Sequence, residues 1–315
     1  MERGALKGHA ALLLANVIWG LNTPICKTVL LSPENPNGIS HSAMSVYRLV
    51  GTFLLFWLAS AFLPRERVAW RDLGGLFVAS LFGIQLDQIF FLWGLSLSSP
   101  INISIIATSV PILTMILAML FLREPITPLK AGGVALGAAG AILLILVSNH
   151  AEGGTGSLLG DIIGLLSSVC YAIYLTACRK TILKYSPVTT MKWMFFFAAI
   201  VVSALYYRPA LEVDFTALPA RVWSGALYAI VLSTFLAYLM IPFAQHYLRP
   251  TVISMYNYIQ PVAAVLLTVI IGLDTLGFTK TAAALCIFAG VWLVTKSKSR
   301  AQLDAAKMNS KRSKQ

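Results

Sequence analysis

Apolar runs long enough to cross a lipid bilayer as helices follow one another from residue 8 to residue 295, with only short polar breaks between them. They fall at roughly 8–31, 40–63, 72–93, 98–121, 128–147, 159–180, 187–207, 220–242, 248–271 and 277–295. The breaks carry turn formers: SPENPNGIS after the first run, LPRER after the second, SNHAEGGTGS after the fifth and RPALEVD after the seventh. None leaves room for a soluble domain. Hydrophobic residues make up 58% of the chain and charged residues 11%, against about 25% charged in soluble domains. A water-soluble fold of this length has no way to cover so much apolar surface. The fold class is therefore an all-α integral membrane protein with ten transmembrane helices.

The N-terminal MERGALKG leads into a run too long for a signal-peptide core and without a small-residue cleavage site before its end, so it reads as the first span. Cys26, Cys170, Cys178 and Cys286 lie inside apolar runs without paired spacing, which speaks against a disulfide framework or a metal knuckle. Lys and Arg set the orientation. With a cytoplasmic N-terminus the inner segments hold Arg3, Lys7, Arg65, Arg67, Arg71, Arg123, Lys130, Arg179, Lys180, Lys184 and Arg249, and the outer loops hold Arg208, Arg221 and Lys280. The basic tail adds to the inside and accounts for much of the net charge of +12. This is a topology signal and a contact for anionic lipid, not a nucleic-acid site.

The chain is a duplication. At an offset of 150, Pro100 meets Pro250, Ile103 and Ser104 meet Ile253 and Ser254, and Pro111 meets Pro261. In the same register Glu124 meets Asp274, Lys130 meets Lys280, and Ala139 and Gly140 meet Ala289 and Gly290. Earlier, GHAALLLANVIW (8–19) meets GDIIGLLSSVCY (160–171) at an offset of 152. The organisation is a cytoplasmic segment 1–7, a first five-helix repeat 8–147, an external linker 148–158, a second repeat 159–296 and a basic cytoplasmic tail 297–315. Five spans per copy is an odd number, so the second copy enters the membrane inverted. Inverted repeats are the architecture of alternating-access transporters with a site near the bilayer midplane.

Pro111 and Pro261 sit near the middle of their spans and free the carbonyls of Ala107 and Asn257. Such carbonyls face protein or a water-filled cavity, or neighbouring Ser and Thr side chains absorb the kink. Around this depth Tyr256, Asn257 and Gln260 fall at helical spacing on one face of the ninth span with Ile253, and Gln85, Asp87 and Gln88 lie on the third span and Asn16, Trp19, Asn22 and Thr23 on the first. They suit a polar organic solute, with Trp19, Trp93, Tyr256 and Tyr258 offering flat faces, although aromatic residues in spans also serve as packing or interfacial anchors. Lys27, Arg48, Asp87 and Lys192 also lie inside spans. Lys27 and Lys192 are near enough to the ends to snorkel. Arg48 and Asp87 lie about 12 Å and 9 Å below the outer boundary at 1.5 Å per residue, so an ion pair is expected, as a permanent brace or as a gate.

IWGLN (18–22), YRL (47–49), SPINISIIATSVPILTMILAMLFLREPIT (99–127) and GGVALGAAG (132–140), in this order within an inverted duplication, resemble the drug/metabolite transporter superfamily, and within it the EamA-type ten-helix carriers. The resemblance covers residues 8 to 296. It implies a secondary carrier of the bacterial inner membrane that moves amino acids or related small metabolites, commonly outward. It also implies a cavity built from the first, third, fourth, sixth, eighth and ninth helices. Asp274 departs from the glutamate at the matching end of the fourth helix, which weakens a symmetric role for the two carboxylates. Glu124 is a gate or proton carrier, or a carboxylate that pairs with Arg123, Lys130 or backbone groups and closes the fourth helix. Gly133 and Gly137 allow close approach of the fifth helix, within the fold or across a homodimer.

The expected partners are a small-molecule substrate and the lipid bilayer, with proton coupling and a homodimer left open, and no nucleic acid. No metal or cofactor is called for. A multipass enzyme would need a catalytic constellation at membrane depth, and neither HExxH, GxGD nor paired intramembrane carboxylates are present. The stronger competitor is an exchanger of phosphorylated sugars or nucleotide sugars, which would need cations deep in the cavity. Between Arg221 and Lys280 the only one is Arg249, at the inner boundary.

Overall fold

The computed structural model describes residues 2–31, 35–98, 100–148, 157–270 and 277–297. The described residues are helical apart from short connections and one isolated bridge between Leu30 and Ile39. The helices are α1 (Glu2–Val29), α2 (His41–Ala61) and α3 (Trp70–Leu97). α4 is broken into α4a (Pro100–Ala107) and α4b (Val110–Leu122), and α5 spans Pro128–Ser148. Next come α6 (Leu158–Thr176), α7 (Pro187–Leu211) and α8 (Ala220–Gln245). Finally α9 is divided into α9a (Pro250–Met255) and α9b (Ile259–Ile270), and α10 spans Phe278–Lys296. Asp274 and most of the 148–158 linker and 297–315 tail lie outside the described residues.

Six of these helices are both long and apolar enough to cross a membrane: Gly4–Val29 within α1, and α2, α3, α6, α7 and α8. The protein is a multi-pass membrane protein. In lipid a helix must satisfy its own backbone groups, and the chain punctuates its helices accordingly. The Ser40 and Ser186 hydroxyls accept hydrogen bonds from the Ala43 and Thr189 amides at the starts of α2 and α7. Pro187 and Pro250 occupy the first turns of α7 and α9a, where the missing N–H costs nothing. α4b ends with Arg123 in the left-handed region (φ 52°), which lets the Glu124 amide donate to the Ala118 carbonyl.

Exchanging the two sequence halves maps the helix packing onto itself. α1 packs on α8 and α9b, as α6 packs on α3 and α4b. α2 lies along α7, and α5 along α10. The irregularities repeat as well. α3 contains a π-helical stretch at Leu81–Leu86 and α8 one at Ala229–Leu236. α4 breaks at residues 108–109, ahead of Pro111, and α9 tightens to a 3-10 turn at Tyr256–Tyr258, ahead of Pro261.

Two ends of the bundle are recognisable from their bonds. At one, Glu66 accepts from Ser186, Lys184 bridges Asp72, Arg179 donates to the Leu248 carbonyl and Arg249 to that of Ser297. At the other, Lys27 donates to the carbonyls of Leu95 and Ser98, Tyr47 to that of Ala210, and Arg221 to the Asn35 side chain. Lys27 thus closes the C-terminal end of α3 instead of reaching free to the headgroups. Lys192 lies over the Trp57 ring at 4.2 Å from its centre.

α5 and α10 cross where neither can carry a side chain. A Cβ on Gly290 would stand 2.6 Å from the Gly133 carbonyl oxygen, and one on Gly133 would stand 2.9 Å from that of Gly290. The glycine spacing on α5 is therefore used inside the fold. Gly290→Leu should lower stability by about 1–3 kcal/mol or more through overpacking against backbone. Gly132→Leu, where an added Cβ meets nothing within 4 Å, should leave the melting temperature of the purified protein unchanged. Equal losses for both would show that the α5–α10 crossing does not carry the effect.

Candidate functional site

Between the two halves lies a cavity of about 110 Å³, several times what one water needs. α1 supplies Trp19, Asn22 and Thr23; α2 supplies Arg48; α3 supplies Asp87, Gln88 and Phe91. The break in α4 contributes Ser104, Ala107 and Val110, α6 contributes Gly164, Ser167, Ser168 and Tyr171, and α8 contributes Ser233 and Tyr238. Asn257 and Gln260 of α9 complete the wall. These are the helices the resemblance implied, with α2 added through one arginine.

The π-helical stretches explain how charged groups come to face this void. A π turn holds one extra residue and disturbs the carbonyl ladder, which is why such turns gather at functional sites. On α8 the neighbouring carbonyls find donors in the Thr234 hydroxyl (to Ala229, 2.6 Å), the Thr52 hydroxyl (to Ile230, 3.3 Å) and the Trp19 indole (to Ser233, 2.9 Å). The same stretch holds Arg48: its Nε donates to the Thr234 hydroxyl at 3.0 Å and its Nη2 to that of Ser233 at 3.4 Å. On α3, Asp87 and Gln88 follow directly on the π stretch. Asp87 accepts from Ser167 at 2.7 Å and from Tyr238 at 2.9 Å, and the Tyr238 hydroxyl accepts in turn from Gln88 Nε2. Gln88 and Tyr238 are 150 residues apart, so this bond joins equivalent positions of the two copies.

The expected Arg48–Asp87 ion pair is not formed. The salt bridges among the described residues are Lys130–Glu124 and Lys184–Asp72. Arg48 is taken up by hydroxyls of α8 and Asp87 by hydroxyls of α6 and α8. Matching depth was a necessary condition for pairing and not a sufficient one.

Tyr256 also departs from the helical face drawn through Asn257 and Gln260. The 3-10 turn changes the angle per residue, and the Tyr256 hydroxyl meets His9 Nδ1 at 2.7 Å, outside the cavity wall. Gln85 lies outside the wall too and donates to the Ser80 hydroxyl at 3.0 Å. Trp93 stacks on His41, and Tyr258 is fully buried with its hydroxyl on the Val134 carbonyl. Gln260 reaches from the wall to Asn16, its Nε2 donating to Oδ1 at 3.0 Å. Pro111 and Pro261 stand beside the breaks whose residues Ala107 and Asn257 line the cavity. Ser167, Ser168, Tyr171 and Tyr238 were missed. For the three on α6 a signal was available, since SSVCY (167–171) aligns with ANVIW (15–19) of the first helix.

Glu124 lies away from the cavity, at the end where the basic loops gather. Its Oε2 accepts from Lys130 Nζ at 2.7 Å and from the Thr251 hydroxyl at 3.1 Å, with the Lys130 side chain 1% exposed. Lys130 and Glu124 belong to the first half of the chain and Thr251 to the second, so the carboxylate fastens the halves together. Removing one member of a buried ion pair costs about 3–5 kcal/mol because the other charge is left unpaired. Lys130→Met alone should therefore destabilise strongly, and Lys130→Met with Glu124→Leu should recover most of the loss in thermal unfolding. Additive losses would show that the pair is not coupled.

Comparison with known proteins gives this arrangement its class. The sequence model of the EamA-like transporter family matches twice, over residues 6–146 and 158–296. The chain belongs to the EamA-like transporter family. It is similar to the uncharacterized transporter YcxC of Bacillus subtilis, 26% identical over 90% of this chain and 91% of the other. An uncharacterized transporter of Archaeoglobus fulgidus is 29% identical, over 39% of this chain and 43% of its own length. A WAT1-related protein of Arabidopsis thaliana is 35% identical, over 40% of this chain and 35% of the plant protein. The chain thus spans less than half the length of these last two relatives. A crystal structure described only as that of a protein shares the fold, with a TM-score of 0.68 at 19% identity over 94% of this chain and 97% of the other.

Proposed function

We propose that the protein is a secondary carrier of small polar metabolites such as amino acids, working by alternating access of two inverted repeats, 8–147 and 159–296. In this reading the chain crosses the bilayer ten times, both termini face the cytoplasm, the membrane is a bacterial inner membrane and net movement is outward. The observation that carries it is the polar cavity between the halves, with the cross-half fastening of Glu124 at the basic end. The lining residues Asn22, Thr23, Phe91 and Ser104 lie on the side of the α4 and α9 breaks toward the end where Lys27 meets the Leu95 and Ser98 carbonyls. That is the expected disposition of a carrier closed toward the cytoplasm. Membrane-depth charges mark transport pathways by default, and Asp87 is the group through which a proton would couple.

The exchanger of phosphorylated sugars fits less well. A phosphate carries close to two negative charges and three acceptor oxygens, whereas Arg48 is the one cation among the residues of the wall, balanced by Asp87. A net-neutral guest suits this balance.

Full-length protein in liposomes should move labelled small neutral or zwitterionic metabolites. Asn257→Ala and Gln260→Ala should each reduce the initial rate about tenfold or more, while expression is kept, because both side chains face the void. Losses no larger than those from Val110→Ala would point to packing around the prolines. For orientation, single cysteines at Asn149 and Ser186 on a cysteine-free background should react with an impermeant reagent from outside and from inside, respectively. The reverse pattern would overturn the positive-inside assignment.

A further inference from the structure

A second cavity, of about 1350 Å³, opens at the basic end of the bundle, where the C-terminal end of α2 and the start of α7 meet α1 and α8. All of its lining residues are exposed or half-buried, so it is an open groove and not a closed void. Arg65, Arg67 and Lys192 bring three positive charges to it, and Glu66 brings one negative charge. The Glu66 carboxylate is already engaged, since it accepts from the Ser186 hydroxyl at 2.7 Å and from the Ser186 amide at 3.0 Å. None of the three cations is in an ion pair among the described residues. Lys192 is held at the wall over the Trp57 ring, 4.2 Å from its centre. It stands about 8 Å along α7 from Pro187 at 1.5 Å per residue. The remainder of the wall on α7 and α8 is mostly apolar, with Val188, Trp193, Leu239, Met240 and Phe243. Both helices are long and apolar enough to cross a bilayer, so this part of the groove lies at lipid level.

We propose that this groove seats an anionic phospholipid of the membrane, its phosphodiester on Arg65, Arg67 and Lys192 and an acyl chain along Trp193, Leu239 and Met240. Charge and polarity together select that occupant. Three cations beside one engaged carboxylate call for an anion, and guanidinium groups match the paired oxygens of a phosphate. A small soluble anion would leave the apolar wall uncovered, and a lipid without net charge would leave the cations uncompensated. The chain's own segment after Ser297 is strongly basic and unsuited to a basic groove. Anionic lipids of the cytoplasmic leaflet attract basic clusters at the membrane surface, and the proposed orientation puts this end there. The leaflet rests on that orientation, and the site does not. Because α1 and α2 belong to the first half of the chain and α7 and α8 to the second, a lipid seated here touches both halves.

The test titrates purified full-length protein with phosphatidylglycerol and with phosphatidylcholine of the same acyl chains, reading retained lipid by native mass spectrometry alongside thermal stabilisation. Phosphatidylglycerol should bind about tenfold more tightly or better. Arg65→Gln and Lys192→Gln should each weaken its apparent affinity about fivefold. Lys180→Gln, at an exposed cation outside the groove, should leave it unchanged. Arg65 lies in an exposed connection, so its variant reports on the site even where Lys192→Gln fails to fold. Equal affinity for the two lipids would overturn the proposal. Equal losses for Lys180→Gln and Arg65→Gln would overturn it too, by assigning the preference to the field of the whole basic end. Stabilisation by inorganic phosphate as large as that by phosphatidylglycerol would replace the lipid with a soluble anion. Selective retention of phosphatidylglycerol by a protein whose Ser186 cysteine reacts from outside would support the site and overturn the orientation.

Discussion

In hydrocarbon a backbone carbonyl without a donor is expensive, and this protein interrupts four of its helices at the level of one cavity. Everything notable about the site follows from how those interruptions are satisfied. The π stretch of α8 is served by hydroxyls from Thr234 and Thr52 and by the Trp19 indole. Trp19 and Thr52 fix α1 and α2 against α8, and the Thr234 hydroxyl also holds Arg48. On the opposite side the Asp87 carboxylate draws α6 and α8 onto α3 through Ser167 and Tyr238. The bonds that make irregular backbone tolerable are thus also the bonds that draw the halves around a void.

Much of the architecture was legible from the chain because lipid makes composition and spacing informative. Long uncharged runs, short turn-rich breaks and landmarks at an offset of 150 give helices and a duplication, and the observed helices and their exchange-related packing follow that outline. Breaks beside Pro111 and Pro261 were legible for the same reason, since proline removes a donor wherever it stands. The π stretches were not, because a one-residue insertion in hydrogen-bond register leaves no mark in hydropathy. Two site expectations failed on that kind of local geometry. Tyr256 left the face of Asn257 when the helix tightened to a 3-10 turn, and Arg48 found hydroxyls on α8 in place of Asp87. Depth along a span can be counted from sequence, but azimuth depends on every irregularity before it.

The two charged clusters divide the work of the molecule by position. Glu124, Lys130 and Thr251 are packed into a closed contact at the basic end, where an ion pair is nearly complete within the protein. Arg48 and Asp87 are deliberately incomplete by comparison, each held by neutral hydroxyls that orient without neutralising. Neutral hydrogen bonds can fix a charged side chain while leaving its field available. The contrast distinguishes groups that fasten the halves from groups that line the cavity, even though all five residues are polar and lie within a mostly apolar chain.

The bond between Gln88 and Tyr238 joins a position to its own duplicate. In an assembly of two identical units, a residue at such a place would meet another copy of itself, and any change there would alter both sides of the contact at once. Joining the units in one chain lifts that restriction. Here the two sides have become an amide and a phenol, and the phenol donates a hydrogen bond to a carboxylate that has no twin, since the residue 150 positions after Asp87 is Ala237. The centre of the molecule is therefore a place where its two copies differ in kind, and the two sides of the cavity do not mirror one another.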